Sequence, residues 1–147
     1  MITLYTIGFT KKSAEDFFEL LKKNHVKTVV DVRISNSSQL AGFAKGSDLR
    51  YFLQQICGIG YRHIVDFAPT KQLLADYRAG KIDWDGYVSV FNGLMQQRSI
   101  NHVYDVAKFD NCCFLCSEET PEKCHRRLLA EYLKLQDPEN VRIIHLI

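Results

Sequence analysis

The sequence predicts a single α/β domain: a three-layer, mostly parallel, twisted sheet of about five strands with helices on both faces, Rossmann-like or flavodoxin-like in plan. Three observations lead there. Short β-prone runs alternate with stretches of helical hydrophobic period along the whole chain. The run Thr28-Val29-Val30-Asp31-Val32 is continuously β-branched around its Asp, the mark of a strand covered on both faces. With 147 residues, 46% hydrophobic and 24% charged, there is material for one core and little room for a second domain.

The elements follow in order. Ile2, Leu4 and Ile7 form a β-prone run ending at Gly8, so residues 2–7 are the first strand. Ser13-Ala14-Glu15-Asp16 resembles a capping box, and Phe17, Phe18, Leu20 and Leu21 carry a helix over 14–23. Residues 28–32 are the second strand, and 34–48, with few apolar positions, read as a long loop. Leu49, Phe52, Leu53 and Ile56 restore the helical period until Gly58 and Gly60, and 61–65 reads as the third strand.

Thr70 caps a helix carrying Leu73, Leu74 and Tyr77, with Gly80 as its stop. Asp83 caps the next, where Trp84, Tyr87, Val88, Phe91, Leu94 and Met95 share one face. Residues 99–109 lean towards a short helix, and 112–117 form the fourth strand. Thr120 reads as an N-cap with Pro121 in the first helical turn, giving a helix to about Leu135, and 141–146 closes the sheet.

Composition narrows the function classes. A net charge of +2 does not by itself imply nucleic-acid binding. No apolar run is long enough for a membrane span, and Met1-Ile2-Thr3-Leu4-Tyr5 lacks the basic region of a signal peptide, so a cytoplasmic protein is expected. The odd set Cys57, Cys112, Cys113, Cys116 and Cys124 argues against a disulfide framework.

In sheets of this kind ligands bind beyond the carboxyl ends of the strands, which directs attention to 8–13, 31–48, 65–70 and 117–124. The segment from Cys116 to Arg127 is the densest in chemistry. A helix starting after Thr120 would favour an anion at its N-terminus, with Arg126 adding charge. Cys124 would feel that field as a possible nucleophile, although it shares a face with Leu128, Tyr132 and Leu135 and fits a core position too. His125 can act as acid, base or anion donor, and Arg126 can alternatively pair with Glu122 one turn back.

Cys113-Phe114-Leu115-Cys116 has the Cys-x-x-Cys spacing, but strand residues three apart face opposite ways, so a redox pair is not expected. Cys112 and Cys113 read as packing residues. A zinc site on Cys116, Cys124 and His125 is conceivable, though its spacing fits no common pattern.

Asp31 and Arg33 share a strand face at about 6–7 Å along the chain. Arg33 can clamp a phosphate or carboxylate, with Asp31 as a base, a ligand or the group that orients Arg33; a purely structural pair is the alternative. Gly8 and Thr10, with Thr6 and Lys11, resemble the start of a phosphate turn, but no Gly-x-Gly-x-x-Gly follows. His63 alternates with Arg62 and can face the same crevice or be a sheet histidine; Gly42-Phe43-Ala44-Lys45-Gly46 can form a lid or a surface loop.

Thr6-Ile7-Gly8-Phe9-Thr10, Asp31-Val32-Arg33, and Cys116-Ser117-Glu118 followed by Cys124-His125-Arg126 resemble, nearly end to end, the bacterial and archaeal family named domain of unknown function 488. The last motif is the most specific. Members of that family often carry His or Tyr and then Ser after the first glycine, and Pro after Asp-Val-Arg. Here Phe9, Thr10 and Ile34 stand instead, which leaves His63 as a candidate replacement for a missing proton donor. The resemblance implies an α/β fold with a shared polar site and, through relatives labelled for DNA repair, a link to nucleic acid.

The expected function is an enzyme or ligand-binding domain for an anionic, nucleotide-like or nucleic-acid substrate. Gly8, Thr10, Arg33 and Arg126 would bind the anion, while Asp31, Glu118, Cys124 and His125 would carry the chemistry. One alternative is a non-catalytic nucleic-acid- or protein-binding module using Lys11, Lys12, Lys45, Arg50 and Arg62; another is a Cys/His metal protein. The cofactor and oligomeric state stay open.

Overall fold

The computed structural model describes residues 1–37 and 42–147. Strands β1 (Ile2–Gly8), β2 (Thr28–Asp31), β3 (Gly60–His63), β4 (Cys112–Cys116) and β5 (Val141–Leu146) form one sheet in the order β3-β2-β4-β1-β5. Every pairing is parallel, so the carboxyl ends of all the strands lie along one edge. The expected α/β architecture is present.

Helix α1 (Ala14–Lys23) and helix α2 (Gly46–Phe52) cover one face. Their Phe17, Phe18, Leu21 and Leu49 pack with Tyr5, Ile7, Val29, Cys113 and Leu115 of the sheet. The other face carries α3 (Lys71–Arg78), α4 (Trp84–Gln97), the short α5 (Ile100–Val103) and α6 (His125–Lys134). There Leu73, Phe91, Met95, Ile100 and Leu129 pack on Leu4, Val30, Phe114 and Cys116. Alternation along β4 thus sends Cys112, Phe114 and Cys116 to the α3–α6 side and Cys113 and Leu115 to the other, which separates Cys113 from Cys116 as the strand geometry requires.

Side-chain caps set three helix starts. Ser13 accepts from the Asp16 amide, Thr70 from Leu73 and Asp83 from Gly86. Gly80, with φ of 74°, closes the α3 end in the left-handed region. The helix begun at Gly46 does not stay regular: it widens to a π-turn over Leu53–Cys57 before Gly58.

The last helix departs from expectation. It begins at His125, with Cys124 as N-cap, and not after Thr120. Residues 117–124 form turns, with the Cys124 amide donating to the Pro121 carbonyl at 3.3 Å. The reason lies beyond the local cap signal: the Glu118 carbonyl accepts from Arg126 Nη1 at 2.7 Å and sits against Gly8, at the end of β1. The anion site expected at a helix start after Thr120 is therefore not formed.

Gly42–Ala44 is a single 3-10 turn packed by Phe43 against Phe17 and Phe18, on the α1 side. The part of the expected lid at 42–46 is thus docked, while 38–41 of the long loop lie outside the described residues. No described helix is long and apolar enough to cross a membrane.

Candidate active site

A cleft of about 340 Å³ opens beyond the carboxyl ends of β2 and β4. Its floor holds Cys116, Cys124 and His125; Arg33 and Phe9 stand beside it, and Tyr77, Trp84 and Tyr87 form a wall. Arg33 follows β2, Cys116 ends β4, Cys124 caps α6 and His125 opens it, so stretches distant in sequence meet at the sheet edge.

Asp31 is fully buried and holds Arg33 on both oxygens. Its Oδ1 accepts from Arg33 Nε at 2.9 Å and from the Arg33 amide at 3.1 Å; its Oδ2 accepts from Arg33 Nη2 at 2.7 Å and from the Tyr61 hydroxyl at 2.6 Å. These contacts occupy the carboxylate and make it the group that orients Arg33. The Tyr61 hydroxyl is pushed up to about 12, first by burial and then by its bond to Asp31. Arg33 Nη2 also donates to the Ala44 carbonyl, and its cation lies 5.2 Å from the Phe9 ring centroid. Arg33 Nη1 is buried and has no hydrogen-bond partner among the described residues.

The floor is a sulfur–imidazole cluster. His125 Nε2 lies 2.7 Å from the Val32 carbonyl; because a carbonyl only accepts, Nε2 carries the proton. This orients Nδ1 to Cys116 Sγ at 3.7 Å. Cys116 is held well below the usual thiol range by a hydrogen bond from Cys124, with the His125 charge adding and burial opposing. Burial and the neighbouring Cys116 push Cys124 well up. Burial works to lower the His125 pKa, but the thiolate of Cys116 outweighs it and the net shift is upward. The ligand atoms of Cys116, Cys124 and His125 all lie within 4.8 Å of one another.

The other sequence candidates sit apart from this floor. Glu118 lines the cleft, but its carbonyl faces Arg126. Gly8 is a seat for the Glu118 backbone: a Cβ there would lie 1.5 Å from the Glu118 oxygen. Thr10 is exposed and its amide donates to the Ser117 carbonyl. Arg126 is fully buried, bonded to Glu118 O and, through Nε, to Thr6 Oγ1 at 3.3 Å. It makes no pair with the exposed Glu122. His63 Nε2 donates to the Arg33 carbonyl at 2.7 Å and does not line the cleft.

Cys116 stands outside the candidate nucleophiles of the sequence, because its Cys-x-x-Cys spacing within a strand argues against a redox pair. The usable signal was its place as the last residue of a strand, on the same face as Cys112. Trp84 and Tyr87 read as ordinary core positions; nothing local says that their helix forms a wall.

With this geometry in place, the chain can be compared with known proteins. The family described as "Domain of unknown function DUF488" matches residues 13–133. The chain belongs to the DUF488 family. Its match includes Asp31, Arg33, Cys116, Cys124 and His125, whereas Gly8, Phe9 and Thr10 precede it. No curated protein and no solved structure matches the chain.

The buried Arg126 also makes the fold sensitive to acid. Its bond to Thr6 leaves the Thr6 hydroxyl free to donate to His145 Nδ1 at 2.6 Å, which favours neutral His145. Burial and then the Arg126 charge lower the His145 pKa below 6.5. The unfolded chain therefore binds the proton more tightly, and this contribution is fully present above about 6.5 and lost as pH falls from there through the lower folded value. Thermal melts of wild type and His145→Asn between about pH 7.5 and 5 should show a flatter acid dependence in the variant. Parallel curves would remove His145 from the account.

Proposed function

We propose that this DUF488 chain is an enzyme that binds an anionic, nucleotide-like substrate in the cleft and acts on it by thiol-centred hydrolysis or group transfer. The observation that carries this reading is the Cys116 Sγ to His125 Nδ1 contact of 3.7 Å on the cleft floor, with the imidazole locked by Val32.

Arg33 supports it. Its guanidinium is pre-oriented by Asp31, and its Nη1 has no hydrogen-bond partner among the described residues. An anion there regains the hydrogen bond that burial has removed. In the step envisaged, the Cys116 thiolate attacks an electrophilic carbon or phosphorus of the substrate. The bond to the leaving group breaks, and His125 passes its Nδ1 proton to that group. Water, deprotonated by the same nitrogen, then releases the second product and restores the thiolate. The nucleophile in this reading is Cys116; Cys124, the residue favoured by sequence, supports it as hydrogen-bond donor.

A second reading is favoured by the clustering of three soft or borderline ligand atoms within 4.8 Å. Two thiolates and an imidazole with one side open to the cleft have the composition of a catalytic zinc site, and the Val32 carbonyl is the kind of outer partner such histidines use. The non-catalytic nucleic-acid module draws less support. Arg50 stacks near Tyr61 and Arg62 over Phe109, on opposite faces of β3, and Lys11 is 3.6 Å from Glu119.

Alkylation separates the two favoured readings. For the thiol enzyme, metal-free protein should show Cys116 reacting with iodoacetamide at neutral pH at least about tenfold faster than Cys57, whose thiol burial pushes up. His125→Ala should abolish that advantage. Stoichiometric zinc in protein purified without chelator, with Cys116 and Cys124 protected until chelator is added, would instead establish the metal centre.

A further inference from the structure

We infer that the cleft selects a planar, ring-bearing anion, a nucleoside monophosphate, with Trp84 as the specificity-determining residue. This rests on the anionic-substrate reading of the same cleft and names what occupies its outer half.

The cleft is not uniform. Trp84, Tyr87 and Phe91 recur on one face of α4, at the mouth, against the floor and beneath it. Phe91 lies 5.8 Å from the His125 ring, and Tyr87 is fully buried beside Cys116 and Cys124. Tyr87 and Trp84 are stacked at 5.0 Å and 13°, and Tyr77 leans on both at 5.2 and 5.8 Å. Trp84 alone in this row stays only half-buried, in the first turn of a helix whose start Asp83 fixes. Stacked on Tyr87, half-buried and lining the cleft, this indole is suited to stack on a planar ring.

Charge is distributed to match. Arg33 lines the cleft with an Nη1 that has no partner among the described residues, while the exposed Arg78 and Lys123 also line it, and Glu118 is the one carboxylate among the described lining residues. An anionic group is thus drawn inward to Arg33, and the rest of the ligand is left against the aromatic wall. The cleft volume of about 340 Å³ lies at the small end of the roughly 300–1,000 Å³ range of small-molecule sites, which suits one nucleotide and not a strand.

The test is calorimetric titration of the full chain with adenosine, guanosine, cytidine and uridine 5′-monophosphates, and with ribose 5-phosphate. At least one nucleotide should bind about tenfold or more tighter than ribose 5-phosphate, and Trp84→Leu should remove most of that difference while Trp84→Phe keeps it. Because Trp84 is the only tryptophan, wild-type emission should change with the same titration midpoint. Equal binding of ribose 5-phosphate and every nucleotide, or nucleotide binding indifferent to both Trp84 variants, would overturn the inference. Should Trp84→Leu fail to fold, an unchanged wild-type emission on nucleotide binding decides against it. Nucleotide protection of Cys116 from alkylation is a separate readout. Trp84-dependent binding without protection leaves the ring inference standing and removes the thiol reading. Phosphate-only binding with protection does the reverse.

Discussion

Asp31→Ala is expected to destabilise the domain by about 3–5 kcal/mol, because it leaves a guanidinium buried without its counter-charge. Asp31 is 0% exposed and Arg33 6%, so solvent cannot replace the carboxylate without opening the structure. The same change strips the Tyr61 hydroxyl of its 2.6 Å acceptor. Urea unfolding measures the loss directly. A double replacement, Asp31→Ala with Arg33→Met, should recover much of it, since an apolar pair leaves no buried charge without its partner. The double variant should nevertheless lose anion binding in the cleft, which separates the structural contribution of the pair from its place in the site. A single-variant loss below about 1 kcal/mol would mean that the pair is hydrated in solution, contrary to its burial.

Gly8→Ala is expected to be comparably damaging, for a steric reason. The added carbon would lie 1.5 Å from the Glu118 oxygen, 2.6 Å from its carbonyl carbon and 3.1 Å from Arg126 Nη1. Gly8 is in register with Cys116 in the sheet, so β1 cannot retreat. The 117–119 segment must move instead, and Arg126, fully buried, then loses its best acceptor. Overpacking and a stranded buried donor together suggest about 3–5 kcal/mol. Circular dichroism melts test the stability loss, and Cys116 alkylation tests whether the end of β4 has shifted. A variant that melts within about 1 kcal/mol of wild type would show that the segment yields freely.

The elements that sequence reading placed well share a feature: their determinants are local. Ser13, Thr70 and Asp83 each bond an amide three residues on, and the apolar period after them runs unbroken. Thr120-Pro121 presents the same local signature and misleads, because the buried Arg126 ties the Glu118 carbonyl down over Gly8 and holds the segment that follows in turns. The site divides the same way. Asp31, Arg33 and His125 were visible as charged residues after an apolar strand or at a helix start. The contact between Cys116 and His125 depends on an imidazole fixed by the carbonyl of Val32, 93 residues away in sequence. The aromatic wall depends on where α3 and α4 pack, and no periodicity encodes that.

The sheet order has a consequence for how the chain is made. β1 hydrogen-bonds only to β4 and β5, whose residues come from the last third of the chain. During translation the first strand therefore emerges from the ribosome with both edges open and waits, while β2 and β3 pair early. Truncated products that stop before β4 should aggregate through that waiting edge.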